Sequence, residues 1–283
     1  MSTIAVKKYA LFSENLEKYW AIFLINLKNS YAYTGAMAID FVTIYVRLLT
    51  YALIYKVTFS SVGAEKFNGL SVTQVVWLIM IVQSIRLSRD LMNEIAQSVK
   101  NGQVSVFLNK PFSYPIFYYA SYLGKTIVPT LINFVFGSIV AYMLVGPINI
   151  SLINIVLVVP LAFGAMTLIF LQAFIFGIIS FWVEDPEAFS RIYHKFDMVL
   201  GGSLFPLALF PEPLKSFALI LPWAQEFYSV GKNLILPDYS ALGRFYILQL
   251  FWITFFGIIA IWLFRKGLKN IVTNGGWWGL YLC

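Results

Sequence analysis

Long runs of apolar residues recur along this chain, separated by short polar or charged stretches. Six runs stand out, at about residues 36–59, 72–90, 116–145, 152–182, 192–210 and 245–264. A helix that crosses the hydrocarbon core of a membrane needs about 20 residues, which most of these runs supply. The pattern therefore predicts an all-α polytopic membrane protein, with six transmembrane helices in a single domain covering residues 36–283.

The first 35 residues carry a different pattern, with apolar side chains every three or four positions. Lys7, Lys8, Glu14 and Lys18 occupy other faces of the same helix. We expect a helix that lies along the inner membrane surface, rather than a soluble helix docked on another domain. Its apolar stripe includes Tyr9, Phe12, Leu16, Tyr19, Trp20 and Phe23.

The segment before the last apolar run is interrupted by prolines. Two apolar pieces flank Phe210-Pro211-Glu212-Pro213, and neither is followed by enough charge to mark a crossing. This favours a re-entrant hairpin on the outer side, over about residues 211–225, with Pro206 at the approach to its turn. The piece that follows, as far as Leu236, is expected to run along the outer interface. The alternative is a long, partly helical outer loop.

Composition supports a membrane protein and excludes several other classes. Hydrophobic residues make up 60% and charged residues 12% of the chain, far from the balance of an ordinary soluble domain. One cysteine, Cys283, and one histidine, His194, are too few for a zinc site or a disulfide framework. The net charge of +7 comes from cations that flank the apolar runs, so we expect no nucleic-acid partner.

The lysines and arginines also give an orientation, because cytoplasmic loops carry the positive excess. If the N-terminus lies inside, fourteen of the 20 cations fall in inner segments. The outer side keeps Lys56, Lys66, Lys215, Lys232 and Arg244. The distribution predicts a multi-pass protein of the cell (inner or plasma) membrane with both termini in the cytoplasm.

The loop between the second and third runs has the pattern of a short amphipathic helix. Leu91, Ile95 and Val99 share one face, while Glu94, Gln97 and Lys100 lie off it. Asn101-Gly102 then stops the helix, because glycine accepts the left-handed conformation that closes a last turn. We interpret this helix as a docking point for a cytoplasmic partner; the alternative is an ordinary solvated loop.

A nucleotide-binding loop is not expected in this chain. The nearest match is Gly124-Lys125-Thr126, but Tyr119 stands where the first glycine of a phosphate-cradling loop belongs. If transport uses ATP, a partner must hydrolyse it. We therefore predict that this chain binds no cofactor and is not itself an enzyme.

Few polar side chains fall within the apolar runs. Asp40 and Arg47 are seven residues apart, close to one helical face, and could form a buried pair or a water-facing patch, although Asp40 could equally sit at the headgroup level. For Asn133 and Gln172, hydrogen bonds between helices are favoured over substrate binding.

Two other classes of function remain as alternatives. A transporter driven by an ion gradient would need acidic residues in several spans and inverted repeats, and neither is evident. A membrane-embedded enzyme would need clustered polar residues at one depth. The candidates for such a cluster, Glu184, Asp185, Glu187, His194 and Asp197, are better explained as a solvated connection after the fourth run.

Several short motifs together resemble the permease subunits of type-2 ABC exporters, in particular the small bacterial group without a fused ATPase. The resemblance covers nearly the whole chain, and many members have arginine where Asn109 stands. The motifs are Tyr19-Trp20, Ala32-Tyr33, Glu94-Ile95, Asn101-Gly102-Gln103, Leu108-Asn109-Lys110-Pro111, Phe205-Pro206-Leu207, Phe210-Pro211, Lys266-Gly267-Leu268-Lys269 and Gly275-Gly276.

The resemblance implies a six-helix permease with an N-terminal interfacial helix, a coupling helix and outer re-entrant helices. Such permeases pair with a second copy or a similar permease, and they bind two cytoplasmic ATPase subunits that carry ATP and Mg²⁺. By position, the residues seated in the ATPase would be Glu94, Ile95, Gln97, Ser98, Lys100, Asn101 and Gly102.

Overall fold

The computed structural model describes residues 3–30, 34–63, 65–86, 91–108, 110, 112–183 and 187–274. Within these ranges the chain forms helices and turns, with an isolated β-bridge between Phe67 and Leu70 and no strand. The all-α prediction is confirmed for this part of the chain. The helices are α1 (Thr3–Ser30), α2 (Thr34–Val62), α3 (Val72–Arg86), α4 (Leu91–Lys100), α5 (Gln103–Leu108), α6 (Tyr114–Val145), α7 (Leu152–Ile178), α8 (Glu187–Leu200), α9 (Glu212–Ile220), α10 (Ser229–Ile235) and α11 (Tyr239–Asn274).

Among the described residues, four segments are long and apolar enough to cross a membrane. They are Phe41–Val62, Tyr114–Val145, Leu152–Phe181 and Tyr239–Lys269, and Val72–Ile85 adds a shorter apolar helix. These five segments fall on the first, third, fourth, sixth and second runs of the sequence. The fold is therefore that of a multi-pass membrane protein.

The core forms around α3, which packs against α2, α6 and α10. Val75, Val76 and Ile79 on this helix are completely buried. On α6, Gly137 permits close approach, because a Cβ there would lie 2.9 Å from Cγ of Met80. Burial on all sides explains why a helix of only 15 residues is apolar around its whole circumference.

A second part of the core joins α7 to α11 and to α4. The side chain of Gln249 on α11 lies over Gly164 of α7, and its Nε2 donates to the carbonyl of Leu161 at 2.9 Å. Glycine leaves the space that this polar contact requires. The two long helices are thus joined by both packing and a buried hydrogen bond.

The fifth apolar run, at residues 192–210, does not form one continuous helix, and its assignment as a span stays a prediction. Helix α8 begins earlier, at Glu187, and ends at Leu200. Gly202 then adopts a φ of +78°, which an L side chain rarely accepts, and a turn leads to a 3₁₀ segment at Leu207–Leu209. A helix of 14 residues rises about 21 Å, less than the hydrocarbon thickness of a membrane.

Helix α1 packs along α6 through one face. Phe23 and Leu27 are half-buried there, and a Cβ on Gly124 of α6 would lie 2.5 Å from the carbonyl oxygen of Phe23. The backbone N–H of Ser113 donates to the hydroxyl of Tyr19 at 2.8 Å. Trp20 faces outward and is 61% exposed. The side chains of Tyr9 and Phe12 lie outside the described residues, and the interfacial location of α1 stays a prediction.

Candidate functional site

The short helix α4 has one apolar face and one polar edge. Its buried residues are Leu91, Met92, Ile95, Ala96, Ser98 and Val99. Glu94, Gln97 and Lys100 are exposed. The apolar face packs on α7 and on the 3₁₀ turn at Ile179–Phe181. This arrangement follows from the four-residue spacing of the apolar positions.

Close backbone approach holds α4 against α7. A Cβ added at Gly177 would lie 2.7 Å from Cβ of Ile95 and 3.0 Å from the carbonyl oxygen of Met92. After α4, Gly102 adopts a φ of +68°, and its N–H donates to the carbonyl of Val99. Gly177 therefore allows α4 to approach α7, and Gly102 closes the last turn of α4.

Two of the residues expected to contact an ATPase point into the protein instead. Ile95 is completely buried, and Ser98 is buried with its hydroxyl accepting from the hydroxyl of Tyr114 at 3.2 Å. The helical period of α4 puts both on the face that covers α7. We correct their assignment accordingly: they hold the helix in place and offer a partner no surface.

Glu94 is engaged by a cation from another helix. Nζ of Lys125 on α6 lies 2.6 Å and 2.8 Å from the two carboxylate oxygens of Glu94. The side chain of Lys125 is 27% exposed and that of Glu94 is 43% exposed. The two residues therefore form a partly solvated ion pair that links α4 to α6. Of the other residues predicted to contact an ATPase, Gln97, Lys100, Asn101 and Gly102 are exposed.

The segment Gly124-Lys125-Thr126 lies in the middle of α6. Gly124 and Thr126 are buried, and Gly124 serves the contact with α1 described above. A phosphate-cradling loop needs free backbone N–H groups, which a continuous helix does not provide at this point. The geometry agrees with the interpretation that these residues are structural.

A polar chain joins α2, α3 and the turn after α8. Nη1 of Arg47 donates to Oε1 of Gln83 at 2.9 Å, and Nε2 of Gln83 donates to the carbonyl of Ser203 at 3.2 Å. The side chain of Asp40 lies outside the described residues, so the proposed pairing with Arg47 stays a prediction. The hydrogen bonds of Gln83 are not predictable from the sequence, because a single glutamine within an apolar run does not indicate which residues it contacts.

Among the described residues, the most deeply buried acidic group is Glu226, in a π-helical turn at Ala224–Tyr228. Nε2 of Gln172 on α7 donates to its Oε1, and the hydroxyl of Tyr193 on α8 donates to its Oε2 at 3.4 Å. Asp197, on the same helix as Tyr193, is also buried. This cluster joins α7, α8 and the segment between α9 and α10.

The cluster corrects two sequence-based expectations. The residues around Glu226 were expected along the outer interface, but Ala224–Tyr228 is completely enclosed by other helices. Asp197 was placed in a solvated connection, yet it is 2% exposed, whereas His194 is exposed as expected for such a connection. Glu184, Asp185 and the side chain of Glu187 lie outside the described residues.

Asn133 on α6 is buried, and its Nδ2 has no hydrogen-bond partner among the described residues. The contact between helices that was expected of it therefore stays a prediction. No group of three His, Cys, Asp or Glu side chains is placed to hold a metal ion within the ranges that the structure describes.

The predicted outer turn is built from consecutive short elements. Pro206 precedes the 3₁₀ turn at Leu207–Leu209, and Pro211 caps α9, which has Pro213 in its first turn. Nδ2 of Asn68 donates to the carbonyl of Ala208 at 3.3 Å and ties this turn to the loop before α3. The ring of Phe210 is half-buried against the core around α3.

A comparison with protein families decides the wider context of this fold. The family model described as "ABC-2 family transporter protein" matches residues 41–275, most of the chain. The chain belongs to this family. The resemblance noted in the sequence is thereby confirmed, and the helices, glycine contacts and α4 described above are those of an ABC-2 permease.

Membership identifies the chain as a membrane component of an ABC-type transport system. The match begins within α2 and ends just beyond α11, so it includes α4, the Glu226 cluster and the proline-rich turn. A comparison with curated proteins finds no matching relative.

Proposed function

We propose that this chain is the permease subunit of an ABC exporter, that it forms a translocation path as a dimer, and that two separate cytoplasmic ATPase subunits drive it through α4. The membrane in question is the cell (inner or plasma) membrane, with both termini in the cytoplasm. ATP and Mg²⁺ are bound by the ATPase, and this chain binds no cofactor.

The observation that carries the proposal is the way α4 is held. Its apolar face is seated on α7 without space for a Cβ at Gly177, and Lys125 links its edge to α6. A helix fixed to two long spans transmits a displacement to both, because packed helices move as units. The polar edge at Gln97, Lys100 and Asn101 is left exposed for a partner.

The architecture proposed is six spans, with α8 and its following turn as the fifth. Helices α9 and α10 form the re-entrant hairpin on the outer side, where the loop Gly146–Ser151 also lies. Nε1 of Trp252 donates to the carbonyl of Ile220 at 2.8 Å, and Nε2 of Gln249 donates to that of Gln225 at 3.1 Å. These partners lie about 15–20 Å along α11 from its start, which supports a hairpin that dips into the membrane.

A transporter driven by an ion gradient is the second candidate, and a specific observation favours it. Glu226 and Asp197 are buried acidic groups, and Glu226 contacts Gln172 of a candidate membrane span; such residues commonly mark ion and proton pathways. The two proposals differ in their energy source. Export that persists in vesicles without ATP, and that stops when the ion gradient is collapsed, would support the second candidate.

Co-purification tests the leading proposal. The chain is expressed with the ATPases encoded beside its own gene, and the retained ATPase is quantified after detergent extraction. The double variant Gln97→Glu/Lys100→Glu places two carboxylates on the exposed edge of α4. We expect it to retain at least about tenfold less ATPase, the change produced by about 1.4 kcal/mol of lost binding.

The matched control is Lys28→Glu, a charge reversal at an exposed position of α1. It should retain ATPase as the unmodified chain does. Failure of the unmodified chain to retain any ATPase, or equal retention by the control and the double variant, would remove α4 as the coupling site.

A further inference from the structure

A cavity of about 510 Å³ lies between α3, α6 and α7, with α10 at its base. Its wall includes Ile81 of α3, Phe134 of α6, Val158 and Ala162 of α7, and Val230 of α10. The volume is typical of a small-molecule pocket, which commonly measures about 300–1,000 Å³. The cavity is separate from α4 and from the Glu226 cluster.

The cavity is long and lies at the depth of the hydrocarbon. On α6 its lining extends from Ile127 to Ser138, and on α7 from Ile155 to Met166. Eleven residues of helix rise about 16 Å, roughly half of the hydrocarbon core. Both stretches lie inside the segments identified as able to span a membrane.

The lining is apolar in effect. The hydroxyls of Ser84 and Ser138 donate to the carbonyls of Met80 and Phe134 on their own helices, at 2.9 Å and 2.7 Å. The indole N–H of Trp77 donates to the carbonyl of Gly146 at 3.1 Å. Thr130 adds one hydroxyl to walls that are otherwise aliphatic, aromatic and, at Met166, thioether. A polar or charged molecule would lose its hydration here without compensating hydrogen bonds.

The cavity opens sideways between α6 and α7. Leu131 and Phe163 line it and are nevertheless 58% and 51% exposed. Val135 on α6 and Val156 on α7, which do not line it, continue the same apolar surface on either side. Because both helices are candidate membrane spans, an exposed apolar surface on them suits contact with the acyl chains of the bilayer.

We propose that this cavity binds one acyl chain of a bilayer phospholipid, which completes the packing between α6 and α7. The side opening admits a chain from the surrounding leaflet, and the narrow apolar wall selects hydrocarbon over a polar molecule. The proposal requires that α6 and α7 span the membrane, and it does not depend on coupling to an ATPase through α4.

Photolabelling tests it directly. The purified chain is placed in phospholipid nanodiscs doped with a phosphatidylglycerol that carries a diazirine in one acyl chain. After irradiation, labelled peptides are mapped by mass spectrometry. We expect labelling of residues 127–138 and 155–166, with competition by unlabelled phosphatidylglycerol.

Two pairs of variants separate the cavity from the outer surface. Ala162→Trp fills the cavity from α7, whereas Val156→Trp adds the same ring outside it. We expect labelling of the cavity peptides to fall about tenfold in Ala162→Trp, equivalent to about 1.4 kcal/mol, and to be unchanged in Val156→Trp. A second pair on α6 uses the smaller phenylalanine ring: Thr130→Phe fills the cavity and Val135→Phe adds the ring outside it. This pair replaces the first if Ala162→Trp does not fold.

Equal labelling within both pairs, or labelling confined to other peptides, would overturn the proposal. The alternative occupant of the cavity is a side chain from a second copy of this protein, and cysteine cross-linking tests it. In a Cys283→Ser background, a Leu131→Cys variant that forms disulfide-linked dimers in nanodiscs would assign the cavity to a protein contact. Absence of this cross-link together with labelling supports the acyl chain.

Discussion

Helix α4 and the π-helical turn around Glu226 are both short and both mix polar with apolar residues, but the protein treats them in opposite ways. On α4 the side chains of Glu94, Gln97 and Lys100 lie on one edge and are exposed, while Ile95 on the other face is buried. In the turn Ala224–Tyr228 every residue is buried, including the carboxyl of Glu226. Local periodicity therefore predicts the environment of a helix only where one side of it faces water.

The difference lies in where the partners come from. On α4, the spacing of the apolar residues within the helix itself decides which side chains are buried. Glu226 is accommodated by Gln172 and Tyr193, which are 54 and 33 residues away in the chain. A buried carboxyl group is tolerated only when such donors are in place, because its desolvation is otherwise costly. Four changes test this contrast, and they are described from the largest expected effect to the smallest.

Replacing Glu226 by leucine should have the largest effect. The change leaves Nε2 of Gln172 and the hydroxyl of Tyr193 buried without their acceptor. Two unsatisfied donors are expected to cost about 3 kcal/mol of unfolding free energy. Thermal unfolding in detergent, followed by tryptophan fluorescence, measures the loss.

The matched control is Glu212→Gln, which alters an exposed carboxylate at the start of α9 and should change the midpoint little. The double variant Gln172→Leu/Glu226→Leu should recover part of the loss, because it removes the orphaned amide with its partner. A Glu226→Leu protein as stable as the unmodified chain would contradict the role of this cluster.

Gly177→Ala should have the next largest effect. The new Cβ meets Ile95 and Met92, so either α4 or α7 must shift. Overpacking of this kind is expected to cost about 2 kcal/mol. Detergent thermal unfolding gives the stability, and ATPase retention shows whether α4 has moved.

Gly257→Ala on α11 is the control, because nothing lies within 4 Å of a Cβ at that position. It should be neutral or raise stability by up to about 1 kcal/mol, since alanine is the better helix former. The same loss in both variants would show that α4 is not tightly held.

Lys125→Met should have a smaller effect. The ion pair with Glu94 is partly exposed, so its removal is expected to cost about 0.5 kcal/mol, and less at high salt. The comparison variant is Lys215→Met, which breaks the more exposed pair with Glu212. Unfolding midpoints at low and high salt check both. A loss for Lys125→Met greater than that for Gly177→Ala would mean that α4 is held by charge and not by its apolar face.

The smallest effect is expected at Asp238, which caps α11. Its Oδ1 accepts from the hydroxyl of Ser240 at 2.6 Å and from the backbone N–H of Ala241 at 3.2 Å. These hydrogen bonds, that from Ser240 first, hold the pKa of Asp238 below its usual range. The stabilisation is therefore present above the unfolded pKa and is lost as the pH falls through the lower folded value.

Asp238→Asn keeps an oxygen acceptor but removes the charge. At neutral pH it should unfold at a slightly lower temperature than the unmodified chain, and the difference should vanish in acid. A difference that grows as the pH falls would have the wrong sign for this cap.

Much of the helical framework was predictable, because apolar runs of spanning length and the spacing of Leu91, Ile95 and Val99 are local properties. The break within the fifth apolar run was not. The apolar residues after Leu200 look continuous with α8, but Gly201-Gly202 turns the chain there. The sequence also could not distinguish Asp197 from His194, because only the packing of α8 decides that one is buried and the other exposed.

Hydropathy, helical period and charge were enough by themselves to determine that the chain is helical, that it belongs in a membrane, and that α4 is an amphipathic helix stopped by Asn101-Gly102. These features depend on a few neighbouring residues and the solvent around them. Tertiary structure alone decided that Glu226 is enclosed by α7 and α8, that Ile95 faces Gly177, and that an apolar cavity opens between α6 and α7. Each of these depends on residues far apart in the chain, whose proximity is fixed only when the helices pack.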